Sequence, residues 1–190
     1  MFAQLDTKSV YSFMDSVVDL NTYVKRAKEL GYQSIGLMDR DNLYAAYHFA
    51  QLAIRNGLRP LIGTEANLFY EGRKIPFRLL AKNNQGYKNL MKLATELSSG
   101  QREFTYFSDY LNDIALILPS EDWEPGMSLG SEVFIGVRPE DAGKEFDYPV
   151  VPLHTVRYFE NADRSTIQTL HAISQNVSLS EVSICPMNQL

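Results

Sequence analysis

Three histidines, His48, His154 and His171, and one cysteine, Cys185, are the side chains of this 190-residue sequence best suited to ligate a transition metal or to act as base or nucleophile. None stands in a setting that makes such chemistry of it alone. His48 falls in the middle of an amphipathic segment beside its apolar face, where a packed or solvent-edge imidazole is expected. His154 is flanked by Thr155 and Arg157, and a lone imidazole beside a guanidinium makes a poor metal site. His171 falls on the inner side of the last helix and reads as structural. Cys185 has no base nearby in sequence to hold its thiol as thiolate. Carboxylates are more numerous, among them Asp6, Asp15, Asp39, Asp41 and Glu65. Carboxylate and imidazole donors suit divalent cations, and a bound cation brings the pKa of its water near neutrality. That chemistry needs lone pairs pointed inward, and ammonium and guanidinium groups such as those of Lys8, Arg40 and Arg157 have none. Gly57 and Gly63 bracket an apolar run and do not form a phosphate-cradling loop, so nucleotide binding is not indicated.

The elements that must position these side chains follow from periodicity. Leu20, Val24, Ala27 and Leu30 recur at helical spacing, with Asp19 placed to cap the start and Gly31 to end it. Residues 34–38 read as a short buried strand. A second helix capped by Asn42 is expected to turn Leu43, Ala46, Ala50, Ala53 and Ile54 inward and to stop at Gly57. Residues 59–63 form a third element, a strand, and 67–81 a hairpin with its turn at Gly72. Asn84 is expected to open a third helix with Tyr87, Leu90, Met91, Ala94 and Leu97 on its inner face. Residues 114–118, 133–137 and 149–153 read as three further buried strands, joined by loops over 119–131 and 138–148, and a last helix follows Asp163 through Ile167, Leu170, His171 and Ser174. Repeated strand-then-helix units favour a parallel α/β barrel or sheet.

Composition limits the function classes. With 45% apolar and 22% charged residues, the chain suits one soluble globular domain with a sizeable core. No apolar run is long enough to span a bilayer, and the first residues lack a secretory pattern, so a cytoplasmic location is expected. One cysteine cannot form an internal disulfide, which agrees with a reducing compartment. A net charge of −5 from 18 basic and 23 acidic residues argues against a face that grips DNA through its phosphates. The basic run at residues 25–28 belongs to a solvated helix face. The aromatic side chains, prominent among them Tyr11, Tyr44, Tyr87, Phe104, Tyr106, Phe107 and Tyr110, lack the basic setting of a base-stacking platform, and core packing and interdomain contact account for them more simply.

Five segments, in order and spacing, carry a resemblance. They are residues 2–15 (Phe-Ala-Gln-Leu-Asp-Thr-Lys-Ser to Tyr-Ser-Phe-Met-Asp), Asp39-Arg40-Asp41-Asn42-Leu43, Gly57-Leu58-Arg59-Pro60-Leu61-Ile62-Gly63-Thr64-Glu65, residues 79–90 with Leu-Leu-Ala-Lys-Asn-Asn, and His154-Thr155-Val156-Arg157-Tyr158. Together they resemble the N-terminal polymerase and histidinol phosphatase (PHP) domain of bacterial DNA polymerase III alpha subunits, in the short form of low-GC Gram-positive bacteria. The resemblance implies an α/β fold, a distorted (β/α)7 barrel of the PHP type, with shortened or missing helices in the C-terminal half. It implies a PHP domain over residues 1–184 and the start of a linker to the next polymerase domain over 185–190.

In that family a cluster of histidines and carboxylates at the barrel mouth holds up to three metals such as zinc, manganese or iron. Carried over residue by residue, the opening His-x-His falls on Asp6 and Lys8, and the next acidic ligand on Asp15. The histidine of the Thr-Asp-His-Gly-Asn segment falls on Arg40, and the acidic ligand after the Gly-Ile-Lys-Pro type motif on Glu65. A further histidine falls on Pro76, and the late Asp-x-His on Thr155 and Arg157. The resemblance thus leaves Asp6, Asp15 and Glu65 as remnant ligand positions and Lys8, Arg40, Pro76, Thr155 and Arg157 as substituted ones. No metal, no cofactor and no catalytic residue is expected in this domain, and the three cations are expected to pair with the three carboxylates in a buried or half-buried ionic cluster. Asp6, Asp39 and Asp41 do not serve as catalytic carboxylates of a polymerase palm, since the family's palm follows the PHP domain. What the resemblance implies is a structural domain of a DNA-directed DNA polymerase, a nucleotidyltransferase whose magnesium and DNA are held by other domains of the alpha subunit. The implied partners are those remaining domains and replisome proteins, with no membrane. The alternatives are a metal-dependent 3′→5′ exonuclease or phosphoesterase, and a replisome partner-binding module.

Overall fold

The computed structural model describes residues 3–100, 103–130, 132–141 and 143–182; Cys185 and the expected linker over 185–190 lie outside them. In chain order the elements are β1 (Ala3–Gln4), β2 (Asp6–Thr7), α1 (Leu20–Glu29), β3 (Ser34–Arg40), α2 (Ala46–Arg55), β4 (Arg59–Tyr70), β5 (Arg73–Ala81), α3 (Asn84–Ser98), β6 (Ile114–Pro119), β7 (Val133–Val137), β8 (Val150–Pro152), β9 (Thr155–Val156) and α4 (Asp163–Gln175). They gather into two compact units. Of the described residues, one unit takes those up to Arg40, Tyr44–Leu61 and those from His154 onward, and the other takes Asp41–Leu43 and those from Ile62 to Leu153. The strands hydrogen-bond in the order β1-β3-β4 in the first unit and β4-β5-β6-β7-β8 in the second, with β4 contributing to both, while β2 and β9 form a separate pair.

In the first unit the local signals act largely as the sequence reads. The Asp19 carboxylate accepts from Thr22 N–H at 3.0 Å and starts α1, and Gly31 at φ +79° ends it. Tyr23 of α1 stacks between Phe49 of α2 and Phe159, with ring centres 5.8 and 6.1 Å away. Its hydroxyl donates to the Gly36 carbonyl, and burial holds the phenol well above its ordinary pKa. The start of α2 departs from expectation. Asn42 does not cap it; the helix begins at Ala46 without a side-chain cap. Its buried face is Ala46, Phe49 and Ala53, whereas Ile54 is exposed.

The second unit is built around a hairpin. Glu71 (φ +50°) and Gly72 (φ +80°) make a two-residue turn in which both central residues are left-handed, the geometry that matches strand twist. It pairs Tyr70 with Arg73 and fixes the register back to Gly63 opposite Leu80. Because the turn reverses β5, both of its neighbours run antiparallel to it: Arg78 lies opposite Ile117, and Ala81 opposite Ile114. The β5–β6 pairing is antiparallel, an exception to the parallel order that the strand-then-helix units favour, while β6, β7 and β8 are parallel. The carboxamide oxygen of Asn83, one residue before the expected start, accepts from the N–H groups of Gln85 and Gly86 to open α3. The buried face of α3 is Leu90, Leu93 and Leu97 in place of Met91 and Ala94, and it meets Ile75, Phe77 and Leu79 of β5 in the core. After α3 the crossovers shrink to 3-10 turns at Phe104–Tyr110, Ser120–Asp122 and Pro139–Asp141, the shortened helices of the C-terminal half. No helix among the described residues is long and apolar enough to cross a membrane.

Candidate functional site

Extended backbone puts residues two apart on one face, so Asp6 and Lys8 point the same way from β2. Lys8 has no exposed surface, and its Nζ donates to Asp6 Oδ1 at 2.7 Å and to the Met38 carbonyl at 2.7 Å. The parallel pairing of β2 with β9 sets Asp6 opposite Thr155, whose hydroxyl donates to Asp6 Oδ2 at 2.7 Å. Lys8 N–H donates to the Val156 carbonyl, which continues that register and brings in Arg157.

Asp15 closes the loop after β2 and is the centre of a second group. Its Oδ1 accepts from Arg157 Nε at 2.9 Å and lies 3.0 Å from His171 Nε2, while its Oδ2 accepts from Arg40 Nη2 at 2.8 Å. The loop is held by buried hydroxyls. Ser16 Oγ donates to the carbonyls of Lys8 and Arg157, and Asp39 accepts from Ser9 N–H, Ser9 Oγ and Ser12 Oγ, each at 2.7 Å. In the second unit Glu65 stands directly opposite Arg78 across the β4–β5 ladder and lies 3.3 Å from its Nη2, both side chains being buried. Asp41 N–H donates to the Glu65 carbonyl, and the Asp41 carboxylate accepts from Asn67 N–H. Pro76, opposite Asn67, has a carbonyl that accepts from Arg78 Nη1. Asp39 and Asp41 therefore each serve the frame of their own unit.

The structure thus brings together, in the first unit, Asp6 with Lys8 and Thr155, and Asp15 with Arg40 and Arg157. Sequence reasoning missed two participants. His171, read as structural, touches Asp15 from α4. Arg78 falls on none of the family positions, yet the turn at Gly72 carries the signal: stepping back equally along both strands from Tyr70 and Arg73 arrives at Glu65 and Arg78. His154 and His48 are exposed, and the His154 carbonyl accepts from Gln4 Nε2 at 2.6 Å.

Cations lie against the carboxylates of this site. An ammonium 2.7 Å from Asp6 and two guanidiniums on Asp15 already occupy the carboxylate oxygens that a metal would need. Among the described residues no three His, Cys, Asp or Glu side chains gather as a metal-holding group. A divalent ion ~4 Å from each fixed cation would meet repulsion of several kcal/mol even at an effective dielectric of ~20.

Comparison with known proteins gives the chain its relatives. The PHP domain family matches residues 4–125. The DNA polymerase III subunit alpha of Streptococcus pyogenes serotype M1 is 45% identical over 191 aligned positions, covering 100% of this chain and 18% of that protein. The subunit of the same name from Bacillus subtilis is 33% identical over 126 positions, covering 63% of this chain and 11% of its own length. Among solved structures, an amidohydrolase from Chromobacterium violaceum superposes with a TM-score of 0.43 at 18% identity, over 52% of this chain and 34% of that one.

Proposed function

Since this chain belongs to the PHP domain family, we propose that it forms the N-terminal structural domain of a DNA polymerase III alpha subunit, a domain in which the metal site has been rebuilt as ion pairs. The domain occupies residues 1–184, and the chain from 185 leads into the next polymerase domain. Nucleotidyl transfer, its magnesium and the grip on DNA belong to the rest of the subunit; the role of this part is to fold and to support it. The observation that carries the reading is Lys8, buried and bonded to Asp6 where the family resemblance places paired histidines. Supporting it, Arg40 and Arg157 both pair with Asp15, and Arg78 meets Glu65. The metal-dependent exonuclease reading would have to place a divalent ion against these fixed positive charges.

The test uses the full-length protein. Primer extension in magnesium is the expected activity. After dialysis, metal analysis is expected to find no tightly held zinc, manganese or iron, and a single-stranded DNA substrate is expected to survive a manganese incubation intact. Asp15→Asn is expected to lower the melting temperature while leaving the rate of extension unchanged. Stoichiometric metal together with 3′→5′ hydrolysis that Asp15→Asn abolishes would overturn the reading.

A further inference from the structure

The loop after β2 and the segment after β3 display four large aromatic side chains of the first unit to solvent: Phe13 is 83% exposed, Tyr44 81%, Tyr47 72% and Tyr11 48%. Resting on the function proposed above, we infer that these four residues form the surface on which the remainder of the same polypeptide packs. Isolated exposed apolar side chains need no explanation, whereas several large rings displayed from two neighbouring segments mark an interaction site. The two segments are tied together. Ser12, between Tyr11 and Phe13, donates through Oγ to Asp39 and accepts from Arg40 N–H at 3.2 Å, at the end of the strand that leads to Tyr44.

The backbone that carries Tyr11 and Phe13 is pinned by hydrogen bonds. Ser9 and Ser12 turn inward to Asp39 while Tyr11 and Phe13 turn outward, and Met14 closes the loop in the left-handed region at φ +57°. Val10 N–H donates to the Val18 carbonyl, and Tyr11 N–H to Ser9 Oγ. Tyr44 stands two residues before α2 and Tyr47 in its first turn, and the Tyr47 hydroxyl accepts from Gln51 Nε2 at 2.6 Å. A backbone held in this way has little freedom left to lose on docking, and aromatic side chains concentrate at the energetic centres of interfaces.

The occupant follows from length. The Streptococcus pyogenes relative aligns with the whole of this chain yet only 18% of itself, so most of such a polypeptide lies outside the part described. Covalent linkage supplies a high effective concentration, and a patch of four rings too small to hold a separate protein is adequate for a tethered one.

Hydroxyl-radical footprinting of the full-length polymerase, each residue normalised to its own rate in the denatured protein, tests this beside primer extension on the same preparation. Tyr11, Phe13, Tyr44 and Tyr47 are expected to be protected several-fold at all protein concentrations. A Phe13→Ser/Tyr44→Ser variant is expected to release its N-terminal part faster under limited proteolysis. Labelling of the four at the denatured rate in a preparation that extends primers would overturn the docking surface alone. Protection that vanishes on dilution would overturn it in favour of a second copy of the chain. A preparation that does not extend primers would defeat the function proposed above and this inference with it.

Discussion

An ammonium group with no exposed surface persists in a protein only where its charge and its three donors are answered, and Lys8 has Asp6 and the Met38 carbonyl to do so. Removing one partner leaves the other stranded. Lys8→Ala is expected to destabilise the fold by about 3–5 kcal/mol, and Lys8→Met combined with Asp6→Leu to recover much of that loss, because desolvation offsets most of a buried pair's attraction. Urea denaturation of the two variants measures both effects. Arg157 reaches Asp15 through Nε, a geometry that lysine cannot copy. Arg157→Lys is therefore expected to cost about 1–3 kcal/mol in the same assay. Which side chains are cationic was legible in the sequence, and so was the placement of Lys8, Arg40 and Arg157 among carboxylates. The partner of each was not. Pairing of Arg157 with Asp15 depends on β9 lying beside β2, a contact between residues far apart in the chain, and a single sequence carries no direct sign of it.

At the level of elements, close approaches of backbone to backbone decide where glycine is required. A Cβ on Gly36 would stand 2.3 Å from the Leu5 carbonyl oxygen, and one on Gly86 would stand 2.1 Å from the Asp113 carbonyl oxygen. Neither neighbour is a flexible side chain. Gly36→Ala and Gly86→Ala are each expected to lower stability by about 1–3 kcal/mol or more through forced backbone shifts. Thermal melting checks this, with Lys88→Ala on the exposed side of α3 as the neutral comparison. The helices themselves were legible where a polar cap met an apolar period, as at Asp19, and for α3 to within one residue, the cap being Asn83 where Asn84 was expected to open the helix. Their inner faces were less so. In α3 the choice between Ala94 and Leu93 turned on one residue of helical phase, and only packing against β5 settles it. At α2 the Asn42 signal lost to a competing use of the same segment, since Asp41 is held in the left-handed region at φ +53° by its bonds to Glu65 and Asn67.

For the whole molecule, stability at low pH has an identifiable contributor. Asp141 accepts from Lys144 Nζ, Ser120 Oγ and Arg138 N–H, and these bonds, the lysine's foremost, hold its carboxyl well below the ordinary value of 3.8. Unfolded, Asp141 takes up a proton near that ordinary value; folded, it resists. The unfolded state therefore binds more protons as pH falls, so the stabilisation is complete well above 3.8 and is lost as acidity rises through that value toward the depressed folded one. Melting temperature is expected to fall steeply below about pH 4, and Asp141→Asn to be less stable at neutrality yet to show a shallower acid limb. The seven-strand order and the reversal at β5 were only partly legible, because the turn at Gly72 announces the hairpin while the side on which β6 joins is a matter of long-range pairing.

The split of the chain between its two units has a consequence for synthesis on the ribosome. Residues 62–153 are contiguous, so that stretch can finish folding as it leaves the exit tunnel. Asp6 and Asp15, made first, must wait for Thr155, Arg157 and His171, about a hundred and fifty residues later. Throughout that interval the nascent first unit lacks its closing strand and two of the groups around Asp15. This is the window in which a chaperone would find it open.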